Sequence, residues 1–133
     1  MQRLSEFVER SGSGVVNMRE LSFKNFVDSR GSLLPIEFAD LPFPVRRIFT
    51  VSGIEPAVSR GNHLVPCEQL LVLVSGEVEI KVTHPDGSSS VSNLSEPGRA
   101  AWVHLGDYIS YTPAGVQTTV LVLASEPYAG DQR

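Results

Sequence analysis

The stretch that most restricts the fold runs from residue 59 to residue 83 and reads SRGNHLVPCEQLLVLVSGEVEIKVT. Its apolar run LLVLV is followed by SG and then by EVEIKV, in which apolar and charged residues alternate as in a half-buried strand. A Ser-Gly pair between two such runs predicts a tight turn, because Gly76 tolerates the positive φ that hairpin turns require. We therefore predict a buried β-hairpin that follows directly on the polar cluster RGNH, which ends at His63.

The bulk composition restricts the class of protein. The chain has 133 residues, of which 41% are hydrophobic and 20% charged, and this describes one domain with a real core. A formal net charge of -4 argues against a general nucleic-acid or membrane-surface partner, although a few local arginines could still hold an anion. Its apolar runs are too short to span a bilayer, and the N-terminus MQRLSEFVER lacks a signal-peptide core. The single cysteine, Cys67, permits no internal disulfide, which fits a reducing cytoplasm.

The rest of the chain divides into an extension and a β domain. Residues 1–17 are predicted as an N-terminal extension, either flexible or containing a short helix at LSEFVER that the following SGSG would end. Residues 18–133 carry turn signals every eight to twelve residues and no sustained helical period. Residues 32–38 are predicted as an edge strand because they contain a proline. These patterns predict an all-β sandwich or barrel.

A set of short motifs occurs in order along the β domain, over about residues 19–129. They are D-x-RG-x-L from Asp28, PF-x-V-x-R up to Arg47, RG-x-H from Arg60, QLL from Gln69, and then SG, WV and LVLAS-x-x-Y. In order and approximate spacing this set resembles the metal-free sugar-nucleotide branch of the cupins, the dTDP-4-keto-6-deoxyglucose 3,4-ketoisomerases, or WxcM-like proteins. No single motif is decisive, but the ordered set is fairly specific.

The resemblance implies an all-β cupin jelly roll of the RmlC-like kind, in one domain. It also implies a homodimer, often with exchanged N-terminal strands, that uses no metal and no cofactor. The implied substrate is a dTDP-linked sugar, and the implied reaction moves its ketone from C4 to C3. In this reaction a base removes the C3 proton to give an enediol, and an acid delivers a proton at C4.

The sequence departs from the family at one position. The family pattern is Arg-Gly-x-His-x-His, whereas this chain reads RGNHLV, so that Val65 replaces the second histidine. Positions 63 and 65 of a strand point the same way. The predicted cup therefore holds one imidazole beside an isopropyl group where the family has two imidazoles.

Three histidines are weighed separately. His63 is the candidate general base, since imidazole titrates closer to neutral pH than any other side chain; the alternative is a histidine held by a backbone carbonyl. His104 could supply a second imidazole from the cup wall, or it could be a loop histidine at a strand end. His84, beside a proline in a turn, is predicted to be exposed to solvent.

The candidate substrate-binding residues are arginines, an amide and two aromatics. Arg47 and Arg60 are predicted to bind the diphosphate, because guanidinium groups pair with phosphate oxygens; the alternative is surface ion pairing. Gln69 could bond to the sugar or to the sheet backbone. Trp102 and Tyr108 could line the pocket or belong to the core.

We expect no metal site. Metallo-cupins use a His-x-His pair, a glutamate and a later histidine, and here only His63 and Glu68 remain from that set. Two ligands are fewer than a stable site needs.

The leading functional prediction is thus an isomerase of deoxysugar biosynthesis. The alternatives are a cupin that binds a dTDP-sugar without turnover, or a cup that has been repurposed for a less polar metabolite.

Overall fold

The computed structural model describes residues 5–9, 19–52, 58–114 and 117–128. Twelve β-strands and a single-turn 3₁₀ helix at Phe38–Asp40 form its regular structure. The strands are β1 Ser5–Glu9, β2 Arg19–Phe23, β3 Phe26–Asp28, β4 Gly31–Leu33, β5 Arg47–Ser52, β6 Arg60–Leu64, β7 Gln69–Ser75, β8 Val78–Thr83, β9 Ser89–Leu94, β10 Arg99–Val103, β11 Tyr108–Pro113 and β12 Thr119–Ala124. The prediction of an all-β fold is confirmed.

Two antiparallel sheets face each other. The larger sheet has the strand order β1-β2-β10-β7-β12-β5, and the smaller sheet has the order β6-β11-β8-β9. Strands β3 and β4 form a separate hairpin, which turns at Asp28, where the carboxylate accepts hydrogen bonds from Arg30. Apart from β1-β2 and β8-β9, the neighbours in each sheet are not consecutive in the sequence, as in a barrel wound from two sheets.

The core lies between the sheets. Alternate residues of β8, Val78, Ile80 and Val82, point into it, and the charged residues between them face solvent. Residues 70–73 of β7 are buried on both sides of the strand, and Leu71 and Leu73 join the core between the sheets. The other side chains of β7, with those of β2 and β12, form a second cluster that residues 34–45 cover.

The hairpin predicted at Ser75-Gly76 is wrong. Strand β7 pairs with β10 and β12, whereas β8 pairs with β9 and β11, so the two strands belong to different sheets. Gly76, with φ at 81°, allows the chain to pass from one sheet to the other. A Cβ at this position would come within 2.6 Å of the Thr118 Cα, so the crossing also depends on close backbone approach.

Two further segments differ from the sequence predictions. A strand is found at Ser5–Glu9, within the extension for which a short helix was considered, and it pairs with β2 at the edge of the larger sheet. An isolated helix as short as this segment would have little stability. As a strand, the segment instead forms backbone hydrogen bonds with β2. The predicted strand at residues 32–38 ends at Leu33, and the segment beyond it packs across the larger sheet.

Candidate active site

A cavity of about 260 Å³ opens between the two sheets. Strands β5, β6, β7, β11 and β12 contribute its walls. Its apolar wall comprises Phe49, Val51, Leu71, Ile109 and Val122. Its polar side chains are Arg47, Thr50, Arg60, His63, Gln69 and Tyr111. The structure therefore brings four of the predicted site residues, His63, Arg47, Arg60 and Gln69, into one cavity.

An irregularity in β6 shapes the cavity wall. The register between β6 and β11 shifts so that Ile109 is opposite His63 and Ser110 is opposite Gly61, which leaves Asn62 as an extra residue. Asn62 and Gly61 both have positive φ, at 51° and 86°. Such a bulge redirects side chains near functional sites.

The same bulge fixes the orientation of His63. Its Nδ1 lies 3.0 Å from the Gly61 carbonyl oxygen, and the ring is half-buried at the cavity. A carbonyl can only accept a hydrogen bond, so Nδ1 carries a hydrogen and donates it. In the neutral ring, Nε2 then holds the lone pair and is available to take a proton. The hydrogen bond to a backbone carbonyl, which was the alternative to a catalytic role, is thus present. It occupies only Nδ1, so His63 can still act as a base through Nε2.

Two cations and one amide surround this base. The Arg47 guanidinium carbon lies 4.5 Å from the Phe49 ring centroid and 4.6 Å from that of Tyr128, so aromatic faces hold it from both sides. Arg60 is exposed at the rim, and Gln69 is buried at the start of β7. An anionic ligand would meet these positive charges within the cavity that also holds His63.

Val65 lies just beyond the end of β6 and is buried, whereas His63 is half-buried. It belongs to the core between the sheets, and its amide donates to the Asp107 carbonyl at 2.7 Å. Its side chain does not line the cavity.

Three predicted site residues lie outside the cavity wall. His104 Nδ1 and Trp102 Nε1 each donate to Glu68 Oε1 at 2.8 Å, and the Leu105 amide donates to Oε2 at 3.1 Å. Partial burial opposes ionisation of Glu68, but the hydrogen bonds from Leu105, His104 and Trp102 outweigh it and hold its pKa below the usual range. Tyr108 is exposed on the face of β11 opposite to Ile109. The structure does not bring these three residues together with His63.

The prediction that His84 is exposed is wrong. Its ring is buried, with Nδ1 3.0 Å from Asp107 Oδ1 and Nε2 2.8 Å from Ser90 Oγ. The backbone turn is present, but tertiary contact covers the imidazole, which joins the β8–β9 turn to the loop before β11.

Tyr111 is a cavity residue that the sequence analysis did not single out. Its ring is buried against Gly61, where an added Cβ would meet the ring at 2.9 Å. Burial raises the pKa of the phenol, and the Arg60 charge opposes this rise only in part. The sequence does carry a signal for Tyr111. It is two residues from the apolar Ile109, and such a spacing places both side chains on the same face of a strand.

Within the described ranges, nowhere do three side chains of the His, Cys, Asp and Glu types come together to hold a metal ion. Metal independence stays a prediction. In the same parts of the chain, no helix has the length and apolar character needed to cross a bilayer.

The chain as a whole is similar to several known proteins. The family model described as "FdtA: WxcM-like, C-terminal" matches residues 16–132. The TDP-4-oxo-6-deoxy-alpha-D-glucose-3,4-oxoisomerase of Aneurinibacillus thermoaerophilus is 28% identical over 116 residues, covering 81% of this chain and 78% of that protein.

Two solved structures share the fold at similar identity. The sugar 3,4-ketoisomerase QdtA from Thermoanaerobacterium thermosaccharolyticum, in complex with TDP, aligns with a TM-score of 0.76 and 27% identity, over 87% of this chain and 85% of that one. A 3,4-ketoisomerase from Helicobacter canadensis aligns with a TM-score of 0.75 and 26% identity, over 89% and 90% of the two chains. The predicted cupin jelly roll is confirmed.

Proposed function

The chain belongs to the FdtA family of WxcM-like, C-terminal domains, and from this premise we propose that it is a dTDP-sugar 3,4-ketoisomerase of deoxysugar biosynthesis. It moves the keto group of a dTDP-4-keto-6-deoxyhexose between C4 and C3 by base-catalysed enolisation. The relatives named above are 3,4-ketoisomerases, and one of them was solved with TDP. A cupin that only binds nucleotide sugar, or one repurposed for another metabolite, is the less favoured alternative.

The observation that carries the proposal is the state of His63 inside the cavity. The Gly61 carbonyl holds Nδ1 protonated, so Nε2 is the basic atom. The hydrogen on C3 of the substrate is acidified by the adjacent C4 ketone, and a positioned imidazole suits its removal. This step requires only a base in reach and a donor for the oxygen.

The negative charge of the substrate supports the assignment of the binding groups. Arg47 and Arg60 share the cavity with His63 and are assigned to the diphosphate. Gln69 is assigned to a sugar hydroxyl. We assign His104 and Trp102 to the support of Glu68, on the strength of their hydrogen bonds to its carboxylate. Tyr108 as a substrate contact stays a prediction.

The proposal extends to the assembly of the protein and to its compartment. We propose a metal-independent, cytoplasmic homodimer. The family resemblance and the single cysteine support this assignment. Exchange of N-terminal strands is supported by β1, which pairs with β2 at the edge of the larger sheet, where a strand from a second copy could pair equally.

Deuterium entry tests the proposed reaction. The purified protein is incubated with TDP-4-keto-6-deoxyglucose in deuterium oxide, and proton NMR follows C3 and the appearance of the 3-keto product. We expect both exchange at C3 and product formation. The His63→Asn variant keeps a donor for the Gly61 carbonyl but lacks a base, so its rate should fall by about 10²- to 10⁴-fold.

The control is the affinity for TDP, measured by calorimetry on the unaltered chain and on the His63→Asn variant. The variant should bind TDP with an affinity close to that of the unaltered chain. Folded, TDP-binding protein that shows no deuterium entry above background would remove the isomerase proposal and leave the non-catalytic binder.

A further inference from the structure

The described cavity wall has two side chains of the types that commonly act as general acids and bases, His63 and Tyr111, and Tyr111 is unassigned. Val65 closes the position where a second imidazole would stand. A catalytic role for Tyr111 rests on the proposed ketoisomerase function.

The reaction requires proton transfer at two carbons and at two oxygens of the sugar. A ketone shift from C4 to C3 removes a hydrogen from C3 and adds one to C4. It also adds a hydrogen to O4 and removes one from O3. A single base can serve the two carbons in turn, but it cannot protonate O4 while it is taking the proton from C3.

Tyr111 is placed to serve the oxygens. Its ring packs on Gly61, whose carbonyl orients His63, so the phenol and the imidazole are held by one bulge. In the described residues its hydroxyl has no hydrogen-bond partner from the protein, which leaves it for a ligand. The residue opposite Tyr111 in the sheet is Arg60, and its positive charge favours a transient tyrosinate.

We propose that Tyr111 is the catalytic acid and base for the sugar oxygens, while His63 alone carries the proton from C3 to C4. In the first half-reaction the C3–H bond breaks and its proton passes to His63 Nε2. Its electron pair forms the C3=C4 bond, and the carbonyl π pair on O4 takes the proton of Tyr111. The products are a neutral enediol, an imidazolium and a tyrosinate.

The second half-reaction reverses the roles. Tyrosinate takes the proton from O3, and the O–H pair forms the C3=O bond. The C3=C4 pair takes the imidazolium proton at C4. Both side chains return to their starting protonation states, so the cycle balances without any other reactant.

If His63 alone carries the proton from C3 to C4, the configuration of the product at C4 is fixed. In 4-keto-6-deoxyglucose the C3 hydrogen lies on the ring face opposite to the C5 methyl group. A proton returned to C4 from that same face leaves the C4 hydroxyl on the side of the methyl group. The expected product is therefore the 3-keto sugar of galacto configuration, and delivery from the other face would give the gluco sugar.

The test begins with the unaltered chain and TDP-4-keto-6-deoxyglucose. The coupling between H4 and H5 of the product is small for the galacto sugar and large for the gluco sugar. A galacto product supports the single carrier, and a gluco product overturns it. Absence of any turnover overturns the proposed function together with this inference.

The Tyr111→Phe variant then isolates the phenol. We expect its rate to fall by about 10²- to 10⁴-fold, with TDP affinity and thermal midpoint unchanged. Thr112→Val removes the neighbouring hydroxyl on the opposite face of β11 and should stay within about twofold of the unaltered rate. A Tyr111→Phe rate within threefold of the unaltered chain would overturn the role of Tyr111.

The pH dependence of the rate distinguishes a catalytic role of Tyr111 from a purely structural one. Donation to O4 needs the neutral phenol, so the rate should fall as pH rises through the pKa of Tyr111, which burial places above its ordinary value of 10.0. The other charged groups facing the phenol across the cavity are Arg47, Arg60 and His63. A fluorinated tyrosine at position 111 has a more acidic phenol and should move this alkaline limb to lower pH. A limb that does not move would contradict the proposal.

Discussion

At the scale of single residues, position 65 is where this chain departs most clearly from its family pattern. Val65 is 1% exposed and packs in the core beside Ile109. His63, two residues earlier, is half-buried at the cavity. Val65 lies just beyond the end of β6 and packs in the core, so the two positions have different environments.

Restoring the family histidine should therefore destabilise this chain. We expect Val65→His to lower the free energy of unfolding by about 1–3 kcal/mol, since a larger polar ring would enter a packed core. Urea unfolding followed by tryptophan fluorescence measures this change. Leu64→His, at the exposed neighbouring position, is the control and should stay within about 0.5 kcal/mol. A Val65→His variant that was as stable as the unaltered chain and faster would show that position 65 opens to the cup.

At the scale of elements, the turn at Gly76 decides how the sheets are joined. It sends β8 into the smaller sheet, although β7 lies in the larger one. Thr118 fits against the glycine, and its hydroxyl donates to the Glu77 carbonyl at 3.0 Å. Close approach of two backbones, rather than turn type alone, selects glycine here.

A pair of glycine variants separates these two requirements. Gly87 also has positive φ, at 90°, but a Cβ there would meet nothing within 4 Å. Gly87→Ala should therefore lower the free energy of unfolding by only about 1–2 kcal/mol, the cost of a left-handed backbone conformation in a residue with a Cβ. Gly76→Ala should cost at least about 2 kcal/mol more, because its Cβ also meets Thr118. Equal losses in chemical denaturation would contradict the close-approach explanation.

At the scale of the whole molecule, polar links between distant segments close one end of the barrel. Glu68 accepts hydrogen bonds from residues 34 to 37 positions away in the sequence, and its amide donates to Ser125 Oγ, 57 positions away. The buried His84 and Asp107 pair fastens the adjacent turn. These links tie together the chain segments at the ends of β10 and β12 and at the start of β11.

Removing the Glu68 charge should weaken this closure in a pH-dependent way. Its pKa is lowered in the fold, so its contribution is present above the ordinary glutamate pKa and is lost as pH falls below it. At pH 7, Glu68→Gln should cost on the order of 1 kcal/mol, a modest value because water still reaches part of the side chain, which is 32% exposed. The difference from the unaltered chain should shrink between about pH 5 and about pH 3.

Thermal unfolding across this pH range provides the measurement. Glu79→Gln, on the exposed face of β8, is the matched control and should show little difference at any pH. A Glu68→Gln deficit that is the same at both ends of the range would contradict the role of the charge.

The sequence by itself determined most of the strands and turns and four residues of the candidate site. Alternation marks the buried and exposed faces of a strand such as β8, because that information is local. Residue chemistry singled out His63, Arg47, Arg60 and Gln69, which share the cavity.

Only the tertiary structure decided which sheet each strand joins and which side chains meet. Strands β7 and β8 are adjacent in sequence, yet each pairs with strands elsewhere in the chain. The same long-range pairing buries His84, turns His104 toward Glu68 and sets Tyr111 beside Gly61. Alternation fixes the faces of a strand but not its neighbours, because pairing is selected by contacts between residues that are distant in the sequence.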